Sequence, residues 1–207
     1  RKGELWVGTM AGLREVKNLP RLVRAFASLP DPWQLVIFGE GPERDTIRQQ
    51  AEAINVAHRL HMPGFAADPS KVMGLLDIFA LSSDSEQAPI SVIEAMASGI
   101  PVVAPAVGDV ASMVAQSNVP FIVRPGSDPA LQSALLRMAE DARIACDAAE
   151  DMTTWERCNR AFHRAILTPC EMPRLLTAID DLHIASARHL FANWRQQWRP
   201  RIDQDHA

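Results

Sequence analysis

The chain has 207 residues, of which 47% are hydrophobic and 22% charged, as is typical of a soluble globular protein with a buried core. A formal net charge of −4 gives no reason to expect binding to nucleic acid or to a membrane surface. No stretch is long and apolar enough to span a bilayer and no signal-peptide pattern opens the chain, so a cytoplasmic protein is expected.

The first part of the chain alternates short apolar runs with longer amphipathic stretches. Continuously apolar runs such as Leu35-Val36-Ile37-Phe38 are typical of parallel strands that are covered on both faces. Strands are predicted at Leu5–Thr9, Gln34–Phe38, Arg59–Met62, Ile78–Leu81, Pro101–Pro105 and Pro120–Val123. Helices are predicted at Leu19–Ser28, Glu43–Ile54, Ser91–Ser98 and Pro129–Met138. This alternation predicts an α/β fold with a doubly wound parallel sheet, in which ligands bind beyond the carboxyl ends of the strands.

Three of the loops at these strand ends carry glycines and charged residues. In the loop after the first strand, Gly8 permits close backbone approach, and Arg14 and Lys17 could neutralise a phosphate or simply be solvated charges that open the next helix. The second loop, Gly39-Glu40-Gly41-Pro42, lacks the third glycine of a dinucleotide-binding pattern and is typical of a tight turn. The third, Met62-Pro63-Gly64-Phe65, could offer backbone groups and an apolar face to a base, or be a plain turn.

The fourth loop carries the most informative pattern in the chain. Glu86 and Glu94 stand eight positions apart across a strand-to-helix turn, and the amides around Ile90 and Ser91 have no intrahelical partner. Such a helix end can hold a diphosphate, while the two carboxylates remain for the hydroxyls of a sugar or ribose. The alternatives are a capping box between Ser91 and Glu94 and a solvated loop carboxylate at Glu86. Together, the four loops point to a nucleotide-sugar site.

These residues resemble the C-terminal, donor-binding domain of GT-B glycosyltransferases, in particular the retaining family-four group. The resemblance covers about residues 3 to 140. It implies a Rossmann-like sheet that forms one half of a GT-B fold. It also implies a hexosyltransferase whose donor substrate is a nucleotide-diphosphate sugar, such as a UDP- or GDP-sugar, with no cofactor required. The matching segments are Val7-Gly8, Lys17-Asn18, Phe38–Pro42, Pro63–Phe65, Glu86 to Glu94, Pro101–Ala104 and Val107–Asp109.

The resemblance also implies a role for individual residues. Lys17 would contact the donor diphosphate, Glu86 hydroxyls of the transferred sugar, and Glu94 the ribose. The amides around Ile90 and Ser91 would meet the phosphates. Glu86 and Lys17 are the expected catalytic residues. The expected donor-binding residues are Gly8, Arg14, Lys17, Gly39, Gly41, Pro63, Gly64, Glu86, Ile90, Ser91 and Glu94.

Two positions depart from the family pattern. Gly12 stands where the family often has an arginine, and we hypothesise that Arg14 supplies that charge instead. Gln87 stands where many relatives have a glycine, so the backbone at this position is not expected to need a conformation that only glycine adopts.

Residues 1–140 are predicted to form the nucleotide-sugar-binding domain. The chain begins where the linker between the two domains of a GT-B enzyme is expected to end. We therefore expect the N-terminal acceptor domain to be missing, and the chain alone not to transfer sugar. Any peripheral membrane association is expected only through that absent domain.

Residues 141–207 are predicted to form a helical appendage, with helices at Asp151–Leu167 and from Leu175 to Trp198. This tail resembles a truncated FCD ligand-binding domain of GntR-type transcription regulators, which implies Asn159, His163 and His206 as candidate metal ligands. The alternative for His163 is a packed or solvated helix histidine. Its long apolar stripe predicts self-association of the tail, or a chain that folds poorly. Cysteines Cys146, Cys158 and Cys170 form no C-x-x-C pair, so no zinc knuckle is indicated.

The tail leaves a second class of function open. In this alternative, the chain is a non-enzymatic sensor or interaction protein, in which a remnant α/β module and a regulator-like tail bind a metal or a metabolite without catalysis.

Overall fold

The computed structural model describes residues 4–114 and 116–147. The strands are β1 (Leu5–Met10), β2 (Trp33–Phe38), β3 (Leu60–Gly64), β4 (Ile78–Ala80), β5 (Val102–Pro105) and β6 (Ile122–Val123). The α-helices are α1 (Leu19–Phe26), α2 (Arg44–Ala53), α3 (Ser70–Met73), α4 (Ile90–Ala97), α5 (Val110–Met113) and α6 (Asp128–Asp147). No helix in these residues is long and apolar enough to cross a membrane.

The strands form a six-stranded parallel sheet in the order β3-β2-β1-β4-β5-β6. The central pair is in register, with Val7 opposite Ile78 and Gly8 opposite Phe79. Strands β2 and β3 follow β1 on one side of the sheet, and the chain then returns to place β4 on the other side of β1. The loops after β1 and β4 lead to helices on opposite faces of the sheet, and a crevice lies at the carboxyl ends of these two strands.

Both faces of the sheet are covered by apolar side chains, because successive residues of a strand point to opposite sides. In β5, Val103 belongs to one buried cluster, whereas Val102 and Ala104 belong to the other. The first cluster lies under α1, α2 and α6, and the second lies under α4 and α5. The near-continuous apolar composition of the strands follows from this double coverage.

The predicted α/β fold and parallel sheet are confirmed, and all six strands lie where the sequence places them, with ends that differ by one or two residues. The short helices α3 and α5 were not predicted, because four residues are too few to show a helical period. Helix α6 continues nine residues beyond its predicted end at Met138 and runs through the predicted domain boundary at residue 140. The two helices predicted in the tail lie outside the described residues.

Candidate functional site

The loops that follow β1 and β4 meet at the point where the strand order reverses. Two hydrogen bonds join them: the Asp84 amide donates to the Val16 carbonyl at 2.9 Å, and the Ser82 hydroxyl donates to the Lys17 carbonyl at 2.9 Å. Lys17 ends a short 3-10 turn, Glu15–Lys17, and Asn18 then adopts a left-handed conformation with φ of 41°. This turn presents the Lys17 side chain to the loop after β4.

Lys17 and Glu86, predicted as the catalytic residues, form an ion pair in the crevice. Lys17 Nζ lies 2.6 Å from Glu86 Oε1, and the Ser83 hydroxyl donates to the same oxygen at 2.6 Å. The side chains are only 24% and 10% exposed, so the alternatives of a solvated Lys17 and a solvated Glu86 are wrong. An ammonium group has three N–H donors. Apart from Glu86, no described residue accepts a hydrogen bond from Nζ, which leaves donors for a ligand.

Helix α4 carries the second glutamate of the predicted pair. It begins at Ile90 after an extended Pro89, and no side chain caps it. The capping-box alternative for Glu94 is therefore wrong, because Ser91 lies inside the first turn and not at the N-cap position. Within the described residues, the Glu94 carboxylate forms no hydrogen bond or ion pair, and the residue is only partly buried.

The amides at the start of α4 are the other expected ligand of a phosphate. Val92 and Ile93 donate to the Pro89 carbonyl. The N–H groups of Ile90 and Ser91, in contrast, make no hydrogen bond to another described backbone group. A helix end of this kind combines free donors with the positive end of the helix dipole, which favours an anion.

The glycine turn after β2 brings three loops into close contact. Gly39 has a φ of +133°, and a Cβ at this position would overlap the carbonyl group of Ala11 in the loop after β1. Its amide donates to the Gly64 carbonyl at 2.8 Å, which connects it with the end of β3. A Cβ at Gly41 would collide with the backbone of Leu13. These glycines allow the backbones after β1, β2 and β3 to meet at one edge of the sheet.

The remaining predicted donor residues lie at different distances from the crevice. Gly8 lies inside β1, and the space for a side chain there is filled by Leu76. Arg14 is exposed on the loop after β1, with its Nε 3.5 Å from the Cβ that a side chain at Gly12 would have. Its guanidinium therefore lies beside the position that lacks the family's arginine. Pro63 lies in β3, and the neighbouring Phe65 is 78% exposed at the carboxyl end of that strand.

Gln87 adopts no positive φ, as expected for a position that does not require glycine. Its carbonyl accepts a hydrogen bond from the Asp109 amide at 2.8 Å. The close approach occurs instead at Gly108, where φ is +54° and a Cβ would overlap the carbonyl oxygens of Glu86 and Gln87. The loop after β5 thus supports the segment that carries Glu86.

A charged network next to the crevice was not predicted. Arg21, only 8% exposed, donates through Nε to Asp128 at 2.8 Å, and through one terminal nitrogen to Asp84 at 2.6 Å and the Ser82 carbonyl at 3.1 Å. Arg24 binds the other oxygen of Asp128. The available signal was an arginine on the buried face of a short apolar helix, because such a charge requires buried partners.

The network shifts the ionisation of its members. Burial alone would lower the pKa of Arg21, but hydrogen bonds to Asp128 and Asp84 outweigh it and raise that pKa. Burial alone would raise the pKa of Asp128, but hydrogen bonds from Arg24 and Arg21 outweigh it and lower that pKa below its ordinary value of 3.8. Both groups are therefore held in their charged forms.

The lowered pKa of Asp128 predicts a pH-dependent effect of Asp128→Asn. A carboxylate whose folded pKa is depressed contributes stability above its unfolded pKa and loses it as the pH falls through the folded pKa. We expect the variant to be less stable by about 1 kcal/mol at pH 7, a modest value because Asp128 is 40% exposed. The deficit should shrink as the pH falls through the folded pKa and vanish below it. Urea unfolding at pH 7 and at a series of decreasing pH values checks this, with Asp141→Asn on the same helix as control.

The described residues contain no cluster of three histidine, cysteine or acidic side chains that could hold a metal ion. The weak candidates Asn159, His163 and His206 lie outside the described residues.

Comparisons with known proteins agree on the α/β part. The model of the Glycosyl transferases group 1 family matches residues 1–154, and that of the FCD domain matches residues 125–207. The 2-deoxystreptamine N-acetyl-D-glucosaminyltransferase of Streptomyces fradiae is 36% identical over 143 residues, which are 66% of this chain and 32% of that protein. The chain spans about a third of the length of the curated relatives it matches.

Solved structures share the fold. Anabaena HepE in complex with UDP and glucose superposes with a TM-score of 0.63 and 22% identity, over 89% of this chain and 48% of that one. The C-terminal domain of the group 1 glycosyl transferase LpcC from Francisella tularensis superposes with a TM-score of 0.60 and 20% identity, over 81% of this chain and 87% of that one. The family match covers well over half of the sequence and the sheet has the GT-B domain architecture. The chain therefore belongs to the Glycosyl transferases group 1 family.

Proposed function

We propose that this chain binds a nucleotide-diphosphate sugar in the crevice between β1 and β4, as the donor-binding part of a retaining hexosyltransferase. The observation that carries the proposal is the Lys17–Glu86 pair, which brings a cation and a carboxylate within 2.6 Å of each other at the switch point of the sheet. Enzymes with open parallel sheets bind their ligands at this point. A lone cation would suit any anion, whereas the neighbouring carboxylate adds an acceptor for hydroxyl groups.

Each part of such a donor has a counterpart at this edge. The diphosphate fits Lys17 and the free amides at the start of α4, with Arg14 as a second, exposed cation. Glu86 would accept hydrogen bonds from hydroxyls of the transferred sugar, and Glu94, whose carboxylate has no partner among residues 4–114 and 116–147, from the ribose. The exposed ring of Phe65 offers an apolar face for a base. HepE, which shares the fold, binds UDP and glucose, and this supports a UDP-sugar as the first donor to test.

The chemistry in this proposal is electrostatic. When the bond between the anomeric carbon and the diphosphate oxygen breaks, negative charge develops on the departing nucleoside diphosphate. The Lys17 ammonium and the positive end of α4 would stabilise that charge, while the oxygen of an acceptor hydroxyl bonds to the anomeric carbon and its proton passes to the departing diphosphate oxygen. Glu86 holds the sugar and keeps Lys17 in place through their ion pair. Retention of the anomeric configuration is the outcome implied by the family-four resemblance.

We further infer that the acceptor site comes from a second domain. The chain covers about a third of its curated relatives, and three apolar side chains near the crevice are substantially exposed. Ile90 is 69% exposed, Ile93 47% and Val16 40%, and grouped exposed apolar side chains are typical of a surface that another domain or protein covers. A partner domain packed against this edge would cover them. Under this proposal, the chain alone binds the donor and does not transfer the sugar.

The test is ligand-dependent thermal stability. A ligand that binds only the folded chain stabilises it by about 2.7 kcal/mol at one hundred times its Kd, which corresponds to roughly 5–10 °C for a domain of this size. We expect a UDP- or GDP-sugar to raise the melting temperature by this order, measured by differential scanning calorimetry. A folded sample that shows no shift with any common nucleotide sugar would refute the donor-site proposal.

The FCD match over residues 125–207 favours a second candidate function. In this alternative, the tail binds a metal or a carboxylate metabolite and the α/β part has no catalytic role. A divalent metal would then raise the melting temperature, and His163→Ala would remove that effect while leaving any response to nucleotide sugars intact.

A further inference from the structure

We infer that Arg21 is a positioning residue of the donor site, which sets the place of the Lys17–Glu86 pair by connecting the loop after β4 to the first residue of α6. The expected effect of Arg21 on donor binding rests on the proposed function. The contacts of Arg21 with the loop after β4 do not depend on that function. Arg21 lies on α1, and its side chain forms hydrogen bonds to Asp128, Ser82 and Asp84 and to neither member of the ion pair.

The loop after β4 is held in place by side chains and by neighbouring loops, because it contains no helix or strand of its own. Strand β4 ends at Ala80, and residues 81–89 form neither helix nor strand before α4 begins at Ile90. Arg21 binds this loop twice, at the Ser82 carbonyl and at the Asp84 carboxylate. Ser83, which donates to Glu86, lies between these two contacts. A shift of residues 82–84 would therefore move the hydroxyl that orients Glu86.

The same segment holds the loop that carries Lys17. The Ser82 hydroxyl donates to the Lys17 carbonyl, and the Asp84 amide donates to the Val16 carbonyl. The other oxygen of Asp84 accepts a hydrogen bond from the Asn18 side chain at 2.9 Å. Both partners of the ion pair are thus attached to residues 82–84, and Arg21 is the buried cation that fixes this segment.

Asp128 binds the guanidinium group of Arg21 at Nε, whereas the loop after β4 is bound by a terminal nitrogen. It is the first residue of α6 and accepts from Arg21 Nε at 2.8 Å, so the orientation of Arg21 depends on where this helix begins. A planar guanidinium can bridge acceptors in fixed directions, which a lysine ammonium on a flexible stem does not reproduce. Residues 125–154 are matched by both family models, so the network joins the donor site to the helix where the two families overlap.

The inference is tested with Arg21→Lys, which keeps the positive charge and removes the planar guanidinium group that bridges the acceptors. The matched control is Arg24→Lys, because Arg24 binds the same Asp128 but contacts neither Ser82 nor Asp84. Calorimetric titration with UDP-glucose is done at a temperature at which all variants are folded. We expect affinity to fall at least tenfold in Arg21→Lys and less than twofold in Arg24→Lys. Hydrogen exchange at the Asp84 amide, measured without ligand, should accelerate at least tenfold in Arg21→Lys only.

Unchanged affinity in Arg21→Lys, or an equal loss in Arg24→Lys, would overturn the inference. If the wild-type chain binds neither UDP-glucose nor any other common nucleotide sugar, the proposed function fails and the exchange measurement alone decides: faster exchange at Asp84 supports the positioning role and unchanged exchange overturns it. If Arg21→Lys does not fold, Asp84→Ala replaces it, because this change removes the carboxylate that Arg21 binds and leaves the hydrogen bonds of Arg21 to Asp128 and to the Ser82 carbonyl. The same losses of affinity and protection, corrected for the intrinsic exchange rate, are expected.

Discussion

Lys17→Ala is expected to weaken binding of a UDP-sugar by about 10- to 100-fold. A hydrogen bond to a charged group contributes about 1.5–3 kcal/mol, and each 1.4 kcal/mol is a factor of ten in Kd. The Lys17 side chain lies in the crevice and is only 24% exposed. Solvent therefore screens its charge less than that of a surface lysine. Isothermal titration calorimetry with UDP and with a UDP-sugar measures the loss.

The control for this prediction is Lys71→Ala. Lys71 is 80% exposed on α3 and pairs only at 3.3 Å with Asp68, so its removal changes the net charge by the same amount without touching the crevice. Equal weakening by the two variants would mean that the ligand responds to overall charge and not to a site at Lys17. High salt should reduce the difference between wild type and Lys17→Ala, because the lost contact is electrostatic.

Combining Lys17→Ala with Glu94→Ala is expected to abolish the thermal shift altogether. The first change removes the proposed diphosphate contact, and the second removes a carboxylate that no described residue pairs with. Because the Glu94 carboxylate forms no hydrogen bond or ion pair with any described residue, Glu94→Ala alone should leave the melting temperature of the unliganded chain within about 2 °C of wild type. A melting temperature much lower than this would show that Glu94 is structural.

The sheet could be predicted because each strand is indicated by residues that are neighbours in the sequence. A run such as Leu35-Val36-Ile37-Phe38 can be stable only when both faces are covered, and the helices between such runs force a parallel arrangement. The length of α6 was not predictable in the same way. Its continuation beyond Met138 begins with two alanines and two acidic residues and no large apolar side chain, and Ala139 and Ala142 pack at the first buried cluster.

In the candidate site, too, some residues could be predicted from the sequence and others could not. Glu86 and Glu94 were proposed because their residue type and their spacing across a strand-to-helix turn suit a sugar and a ribose, and Lys17 was proposed from the resemblance to the donor-binding domain. Ser83 and Arg21 were missed because their roles depend on a partner 3 and 63 positions away, respectively, and a neighbour in space leaves no period in the sequence. The capping-box alternative at Ser91 arose from the same limit. The sequence pattern fits a cap at Ser91, but the helix already begins at Ile90 and its N-cap position is Pro89.

Gly39→Ala is expected to destabilise the chain by about 3 kcal/mol or more and to lower its melting temperature by roughly 10 °C, because two costs add at one position. The backbone φ of +133° is one that side chains rarely adopt, and the new Cβ would overlap the Ala11 carbonyl group. Neither cost can be relieved by rotating a side chain, since the obstacle is backbone. Relief requires the loop after β1 to move, and that loop carries Arg14 and Lys17.

The variant should therefore also lose donor affinity, measured by titration at a temperature where it remains folded. Gly74→Ala is the matched control, because Gly74 ends α3 with a φ of −63° and has open space around its Cβ position. That change should alter stability by no more than about 0.5 kcal/mol and leave binding unchanged. If Gly39→Ala were as stable as Gly74→Ala, the contact between the loops after β1 and β2 would not be tight. If it were unstable but bound the donor normally, the positions of Arg14 and Lys17 would not depend on Gly39.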